Sequence, residues 1–488
     1  MHMNTTTPME PYLALMQRQL ATTLKPKGDD NAERIARYSS QVLTQLIVQS
    51  NTLPALQVAA VNQFDTMLDE LNTQLRAIPG GMIITGNLIR HLRITPDFQA
   101  AEPVLQRAVA VLLANPGDKS SKLLKQISAI ISGMQQSLHE AALRQQAEVN
   151  KDSDAEQAPA LTDAQIQVLQ AYLRRKFAAE TALEIGNIKA IVGGGSKKTL
   201  IINLKNAKQL PSKIVLRADQ AGGVVESTVI DEYRLIETVY AAGLPVPQPF
   251  VSETDTSIVG APFIVVSCIE GRNIGDHVDV YEPSESFALS LARALAKLHC
   301  IPPEKFGNRV PGAKVSTQEW ERQHVASFEA IWRNSGHPCV PLEMAYAWLK
   351  NNFHLADGRR ALNHGDVGCH NMLAENNVLS ALLDWETVFI GNPAYDLAYV
   401  QPEIVQCIGW DKFLDEYQRA GGELPSAGEM DFYRLLVAVN KIGYLFIALS
   451  FFHGGVSDSL ILAFGGQHLY QRCEYSLQQV VNDIYSRA

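Results

Sequence analysis

The sequence predicts an α+β protein with two lobes, one small and rich in β-strands and one mainly helical, preceded by an all-α helical bundle domain. Three observations predict this organisation. Apolar residues first repeat at helical spacing, short strand-type runs follow a polar linker, and helical patterns then return up to the C-terminus. We expect the bundle at residues 1–148, the linker at 149–161, the strand-rich lobe at 162–270 and the helical lobe at 271–488.

The first segment reads as an antiparallel helical bundle. Apolar residues follow helical spacing over residues 35–47 and 61–75, and the second run stops at a proline and two glycines. Further helices fit residues 104–113 and 123–138. Such helices offer a surface for a homodimer or for contact with a helper protein.

The linker is polar, charged and proline-bearing, as exposed connections between domains are. Directly after it, Thr162 and Gln165 have the spacing of a capping box, which predicts the start of a helix.

A small mixed sheet with one inserted helix is expected next. The strand-type runs are IKAIV, TLIINL, KIVLRA and APFIVVSCIEG, and the first two flank the turn GGGSKK. The helix STVIDEYRLIETVYAAG lies between the third and fourth runs.

The helical lobe contains SFALSLARALAKLH, a helix at residues 316–333 and a very apolar one at residues 434–455. The last carries Asn440 and Lys441 in its middle and falls short of a clean membrane-spanning run, so we expect a buried helix and no membrane partner.

Candidate chemistry is concentrated in LNHGDVGCHNMLAENNVLSALLDWE, residues 362–386. Asp366 precedes Asn371 by five residues, and Asp384 follows Asn371 after an apolar hairpin with the turn Glu-Asn-Asn. The hairpin brings Asp384 beside Asn371, so a carboxylate and an amide oxygen can hold Mg²⁺ while Asp366 faces a substrate hydroxyl.

The ordered set HGD, Asn at plus five, Asp at plus eighteen and then GNPAYDLAY resembles the aminoglycoside phosphotransferase and choline kinase superfamily. The resemblance covers residues 162–488 and implies a protein-kinase-like bilobal fold and an ATP-dependent small-molecule kinase with Mg²⁺. The strand KIVLRA is similar to that of the branch associated with acyl-CoA dehydrogenases.

Carried onto this chain, the resemblance makes Asp366 catalytic and Asn371 and Asp384 the metal ligands. It implies that His364 and Asp396 brace the catalytic loop. Glu386 is either a loop brace or a partner of the metal site. His370 is expected in the loop or the pocket wall, because Mg²⁺ prefers oxygen ligands.

For the nucleotide, the resemblance implies that Arg217 acts on the phosphates and that Glu232 aims it, although most relatives use lysine there. Lys197 stands where the branch usually has asparagine. The remaining implied contacts are Gly194, Gly195 and Ser196 over the phosphates and Val266, Ser267 and Cys268 against the adenine.

Composition narrows the partners and the location. The net charge of −9 is spread without long blocks of one sign, which argues against a nucleic-acid partner. The N-terminus lacks a secretory pattern, and the 6 cysteines form no CxxC pair, which is typical of free thiols in the cytoplasm.

The acceptor is left open between classes. The acyl-CoA-dehydrogenase-associated branch implies a hydroxyacyl-CoA or a related hydroxy acid. An aminoglycoside or another amino-alcohol is the alternative, and a polycationic aminoglycoside would need an acidic pocket. A non-catalytic pseudokinase used as a binding module is the third hypothesis. The stretch RIARYSSQVLTQLI resembles a small helical protein that accompanies such kinases.

Overall fold

The computed structural model describes residues 98–146, 161–191, 197–219, 227–275, 280–281, 283–453 and 469–487. The expected helices at 35–47 and 61–75, the linker up to residue 160 and the loop residues Gly194, Gly195 and Ser196 lie outside the described residues.

The elements follow the order that the sequence predicts: helices come first, then a small sheet, and then a mainly helical lobe. The helices are α1 (Phe98–Ala114), α2 (Asp118–Gln146), α3 (Asp163–Lys176), α4 (Val229–Ala241), α5 (Glu285–His299), α6 (Thr317–Ser335), α7 (Val340–Asn351), α8 (Ala394–Ile404), α9 (Trp410–Arg419), α10 (Ala427–His453) and α11 (Tyr470–Arg487). The strands are β1 (Glu184–Ile191), β2 (Lys197–Lys205), β3 (Lys213–Asp219), β4 (Pro249–Glu253), β5 (Phe263–Ser267), β6 (Arg272–Asn273), β7 (Ala361–Asn363), β8 (Met372–Glu375), β9 (Val378–Leu382) and β10 (Phe389–Gly391).

The small lobe is an antiparallel sheet in the order β1-β2-β3-β5-β4. Alternate residues of β2, such as Leu200 and Ile202, are buried in one core with Leu169 of α3. The capping box at the start of α3 is confirmed, because Thr162 and Gln165 exchange side-chain hydrogen bonds with each other's backbone N–H groups. Helix α4 lies between β3 and β4 in the chain and packs against β4 and β5.

The hairpin expected in the second lobe is β8-β9, with Met372 paired to Leu382. Its turn residues Asn376 and Asn377 have φ of 52° and 62°, the left-handed conformation that asparagine tolerates and tight hairpins need. Strand β6 pairs with β8, and β7 pairs with β10 to hold the two ends of the intervening segment together. Two loops are therefore fixed at the ends of short strands.

Helix α10 is the apolar helix that the sequence singled out. Among the described residues, its segment Ala427–Ser450 is the single helix long and apolar enough to cross a membrane, and 72% of its most apolar window is buried. It packs against α6, α8 and α11. A core helix of a folded lobe has these properties.

Helices α1 and α2 lie directly on the helical lobe. Helix α2 runs along α11, where Gln478 donates to the Ser128 backbone and hydroxyl oxygens at 2.8 Å. Helix α1 packs against α7, and Gln106 donates to Glu343 at 2.9 Å. Their apolar side chains join the same continuous core as the second lobe. The proposed boundary between the domains remains a prediction.

Candidate active site

The HGD loop is anchored by one buried carboxylate. Asp396, in the first turn of α8, accepts hydrogen bonds from the backbone N–H groups of His364 (2.8 Å) and Gly365 (3.0 Å). Gly365 has φ of 82°, and a Cβ added there would overlap the carbonyl oxygen of Thr387. Asp396 and His364 brace the loop as the sequence analysis expected.

His299 and Tyr417 support this anchor from below. The His299 ring bonds to Asp396 through Nε2 (3.2 Å) and to the Tyr417 hydroxyl through Nδ1 (2.8 Å), and its side chain is buried. His364 Nε2 lies 3.0 Å from the carbonyl oxygen of Leu383, which ties the loop to the end of the hairpin. The loop therefore has little freedom to move.

Asp366 is held by three donors. Its Oδ1 accepts from the Tyr399 hydroxyl at 2.5 Å, and its Oδ2 accepts from Asn371 Nδ2 at 2.9 Å and lies 3.3 Å from His370 Nε2. Its side chain is still 31% exposed. A carboxylate with both oxygens fixed and one open side can orient a hydroxyl group and accept its proton.

His370 and Tyr399 respond to that carboxylate. Burial is the largest effect on His370 and by itself would lower its pKa, but the charge of Asp366, the hydrogen bond to it and the charge of Glu403 together raise the pKa above its usual value. Burial first, and then Asp366, raises the pKa of Tyr399, so its hydroxyl keeps its proton and donates. His370 was expected in the loop or the pocket wall, and no sequence pattern indicated Tyr399.

Asn371 and Asp384 are neighbours across the hairpin. The backbone N–H of Leu383 donates to the Asn371 carbonyl at 2.9 Å, and Asp384 follows with φ of 64°. Asn371 Nδ2 donates to both the backbone and the carboxylate of Asp366, which leaves its Oδ1 to accept or ligate.

This donor set fits Mg²⁺. A carboxylate and an amide oxygen are hard ligands, and Mg²⁺ commonly takes one or two protein oxygens and fills the rest of its shell with water and phosphate oxygens. Within the described ranges, no group of three or more His, Cys, Asp and Glu side chains is arranged to hold a metal.

Arg217 joins the lobes. Its guanidinium lies 3.3 Å from Glu232 of α4 and 3.0 Å from Asp384, so one side chain of β3 bridges the small lobe and the loop after β9. Burial raises the pKa of Glu232 to about 7, because Arg217 only partly offsets it and the charges of Asp384 and Glu386 add to it. The expected pair is therefore a network that includes a predicted metal ligand.

Lys197 is a second buried cation on the nucleotide side. Its side chain is 5% exposed, and its Nζ lies 3.1 Å from Asp219 at the end of β3 and donates to the carbonyl oxygen of Ser227. It therefore ties the end of the predicted phosphate loop to the segment that enters α4. The sequence analysis noted this lysine only as a departure from asparagine.

The predicted adenine segment lies at the end of β5. Val266 is buried, and the Ser267 N–H donates to the Gln248 carbonyl at 2.9 Å. Cys268 is the first residue past the strand and is half-buried. Close by, Lys213 pairs with Glu270 at 3.5 Å across the opening of this segment.

Aromatic side chains of α6 and α10 form a cluster, and its member Tyr444 is close enough to Asp366 for that charge to act on it. Trp320 stacks on Phe389 with ring centroids 5.8 Å apart, His324 stacks on Phe328 at 4.8 Å, and Phe328 meets Tyr444 edge-on at 5.1 Å. Burial lowers the pKa of His324 to about 4, so this ring is neutral near pH 7. Trp320 therefore packs inside this cluster, between His324 and Phe389.

A cavity of about 690 Å³ opens between α4 and residues 303–311. Its lining residues include Arg234, Lys305, Arg309, Glu386 and Val388. Glu386 therefore lines this cavity two residues after Asp384.

Comparisons with known proteins agree with this geometry. The model of the phosphotransferase enzyme family matches residues 187–436, just over half of the chain. Acyl-CoA dehydrogenase family member 11 of Gallus gallus is 36% identical over 181 residues, which cover 34% of this chain and 22% of that protein. The Homo sapiens protein of the same name is 28% identical over 256 residues, covering 49% and 32%. The chain thus spans about a fifth to a third of these relatives' length.

A crystal structure from Ralstonia eutropha JMP134, assigned as an aminoglycoside phosphotransferase, superposes with a TM-score of 0.51 at 18% identity. The match covers 65% of this chain and 98% of that one. It confirms the kinase-like phosphotransferase fold that the motif order predicted.

Proposed function

The chain belongs to the phosphotransferase enzyme family, and from that membership we propose that it transfers the γ-phosphoryl group of ATP to a hydroxyl group of a small molecule. ATP and Mg²⁺ are typical of this family. The observation that carries the proposal is the position of Asp366, which is fixed through both carboxylate oxygens beside Asn371 and Asp384.

In the proposed reaction, Asp366 accepts a hydrogen bond from the acceptor hydroxyl and takes its proton as the oxygen attacks the γ-phosphorus. The bond from the γ-phosphorus to the β–γ bridging oxygen breaks in the same step, and ADP leaves. Tyr399, His370 and Asn371 hold the carboxylate in place. Asn371 and Asp384 would hold Mg²⁺, which supplies positive charge against the phosphate oxygens when bound.

Arg217 has a second role in the proposal. Its guanidinium is 3.0 Å from Asp384 and 3.3 Å from Glu232, so Arg217 would supply positive charge to the ATP phosphates while Glu232 holds it in position. Gly194, Gly195 and Ser196 would cover the phosphates, and Val266, Ser267 and Cys268 would face the adenine. Lys197 would hold the end of that loop through Asp219.

We propose a hydroxyacyl-CoA or a related hydroxy acid as the acceptor. Two observations support it. The curated relatives are acyl-CoA dehydrogenase family proteins. In addition, the surroundings of Asp366 include Lys441 and His370 as well as acidic side chains, which is a poor match to a polycation such as an aminoglycoside. A pseudokinase is disfavoured because Asp366, Asn371 and Asp384 are all present and held together.

The proposed location is the cytoplasm, since all six cysteines are free thiols. The described helices α1 and α2 already cover part of the helical lobe, so a homodimer or helper protein would meet their outer faces.

The test is ADP release measured with Mg-ATP and a panel of hydroxyacyl-CoA thioesters, free hydroxy acids, aminoglycosides and choline-like alcohols. We expect turnover of a hydroxy acid derivative by the native chain. In Asp366→Asn, turnover should fall at least about 100-fold, because the proton acceptor is lost. The rise in melting temperature on adding Mg-ATP should remain.

The matched control is Asp415→Asn, an exposed aspartate of α9, which should behave as the native protein does. Turnover of an aminoglycoside alone would overturn the acceptor class. Full activity of Asp366→Asn would overturn the assignment of the catalytic residue.

A further inference from the structure

Lys441 is an unusual residue for its place in the fold. It lies in the middle of the apolar helix α10, between Asn440 and Ile442, which are both buried. A lysine rarely enters such a helix without an anion to pair with, because an ammonium group loses hydration there. Within the described part of the chain, no carboxylate lies within ion-pair distance of its Nζ.

The ammonium group instead lies on an aromatic ring of the site. Lys441 Nζ is 3.8 Å from the centroid of the Tyr399 ring, and the hydroxyl of that same ring donates to Asp366. A cation–π contact contributes about 0.5–2 kcal/mol and leaves the outer N–H groups of the ammonium able to donate. Lys441 therefore places a positive charge one ring away from the carboxylate proposed to activate the hydroxyl.

Further polar groups lie on the same face of α10 and on α6. Tyr444 lies three residues after Lys441 and so shares its face of α10, and the charges of Asp366 and Glu386 add to the burial that raises the pKa of its phenol to about 12. On α6, Trp320 Nε1 and His324 Nε2 are buried and have no hydrogen-bond partner in the residues described. Among the described residues, Lys441 and these two ring nitrogens therefore keep hydrogen-bonding capacity that polar atoms of a ligand can use.

We infer that Lys441 binds the acyl oxygen of the acceptor, either the carboxylate of a hydroxy acid or the carbonyl of its thioester, while Asp366 receives the hydroxyl. This inference rests on the proposed function and gives its acceptor a chemical requirement: a hydroxyl group and an acyl oxygen a few bonds apart. The aromatic wall of α6 and α10 packs against the carbon chain between them. A cationic acceptor is excluded by repulsion from the ammonium group.

The experiment measures binding, so that it does not depend on turnover. Calorimetric titrations are made with 3-hydroxybutyrate, 3-hydroxybutyryl-CoA and 1,3-butanediol, in the presence of Mg²⁺ and a non-hydrolysable ATP analogue. The diol keeps the hydroxyl and the carbon chain but lacks the acyl oxygen. The variants are Lys441→Met and Lys441→Arg. The surface control is Lys412→Met, which removes a lysine of α9 that pairs with Glu285 of α5.

We expect the native protein to bind at least one acyl ligand more tightly than the diol. Lys441→Met should weaken that binding about 10- to 100-fold, the loss of one charged hydrogen bond, while Lys441→Arg retains most of it and Lys412→Met all of it. Tighter binding of the thioester than of the free acid assigns the thioester as the source of the acyl oxygen.

Equal binding by the native protein and Lys441→Met, or a diol bound as well as the acyl ligands, would overturn the inference. The proposed function fails in a different way. If acyl ligands bind through Lys441 but release no ADP with Mg-ATP, the site stands and the reaction is wrong.

Discussion

Glu232 gives the sharpest prediction, because its carboxyl is 1% exposed and its pKa is about 7 against an ordinary value of 4.5. The folded state holds this proton more tightly than the unfolded chain does. Its stabilising effect is therefore fully present below pH 4.5 and is lost as the pH rises through 7. The charge of Arg217 reduces this loss of stability but does not prevent it, because Arg217 also pairs with Asp384.

The magnitude follows from the two pKa values. The difference between 4.5 and 7 amounts to about 3 kcal/mol, at about 1.4 kcal/mol for each tenfold change in the proton equilibrium. Most of it, about 2–3 kcal/mol, falls between pH 5 and pH 8. Glu232→Gln keeps the shape of the side chain and cannot ionise, so this part of the pH dependence should vanish.

The assay is urea unfolding of the native protein and of Glu232→Gln at several pH values from 5 to 8, without nucleotide. The free energy of unfolding of the variant, minus that of the native protein, should increase as the pH rises. The other titrating groups are the same in both proteins and cancel in this difference. The control Glu375→Gln, at the exposed end of β8, should show no such trend. A pH-independent difference for Glu232→Gln would refute the reasoning, since Glu232 would then be ionised throughout and fully paired with Arg217.

Two further predictions concern the Asp366 loop. Tyr399→Phe removes one donor from Asp366, so kcat for the acceptor should fall about tenfold or more, while the melting-temperature shift with Mg-ATP should persist. The control is Tyr240→Phe, at an exposed tyrosine. An unchanged kcat in Tyr399→Phe would contradict the positioning role. Gly365→Ala should lower the free energy of unfolding by about 1–3 kcal/mol, because φ is 82° and the Thr387 carbonyl occupies the space for a Cβ. In the control Gly409→Ala nothing lies near the added Cβ, so the loss should be smaller. Equal losses of both variants in chemical denaturation would argue against this strain.

Local patterns in the chain were enough for most of the fold. Strands β1, β2, β3 and β5 of the small sheet, helices α4, α5 and α6 and the hairpin β8-β9 follow from alternation, helical spacing and turn residues that act within about ten positions. Strand β4 and helices α7, α9 and α11 were not predicted. Which side of these elements is buried depends on residues far away in the sequence. For example, α11 packs along α2 through Gln478 and Ser128.

The site divides in the same way. Asp366, Asn371 and Asp384 lie close together because one short hairpin joins them, so spacing alone indicates their neighbourhood. Tyr399 of α8 donates to Asp366, and Lys441 of α10 contacts the Tyr399 ring. No spacing rule connects those residues.

The sequence by itself determined the order of the lobes, the phosphotransferase motif and the three oxygen-bearing residues of its loop, since each depends on short stretches of chain. The tertiary structure alone decided that Arg217 also contacts Asp384 and that the pKa of Glu232 is raised to about 7. It alone placed Lys441, which has no ion pair among the described residues, on the ring of Tyr399. Burial and charge depend on everything packed around a side chain, and that environment is assembled from parts of the chain far apart in sequence.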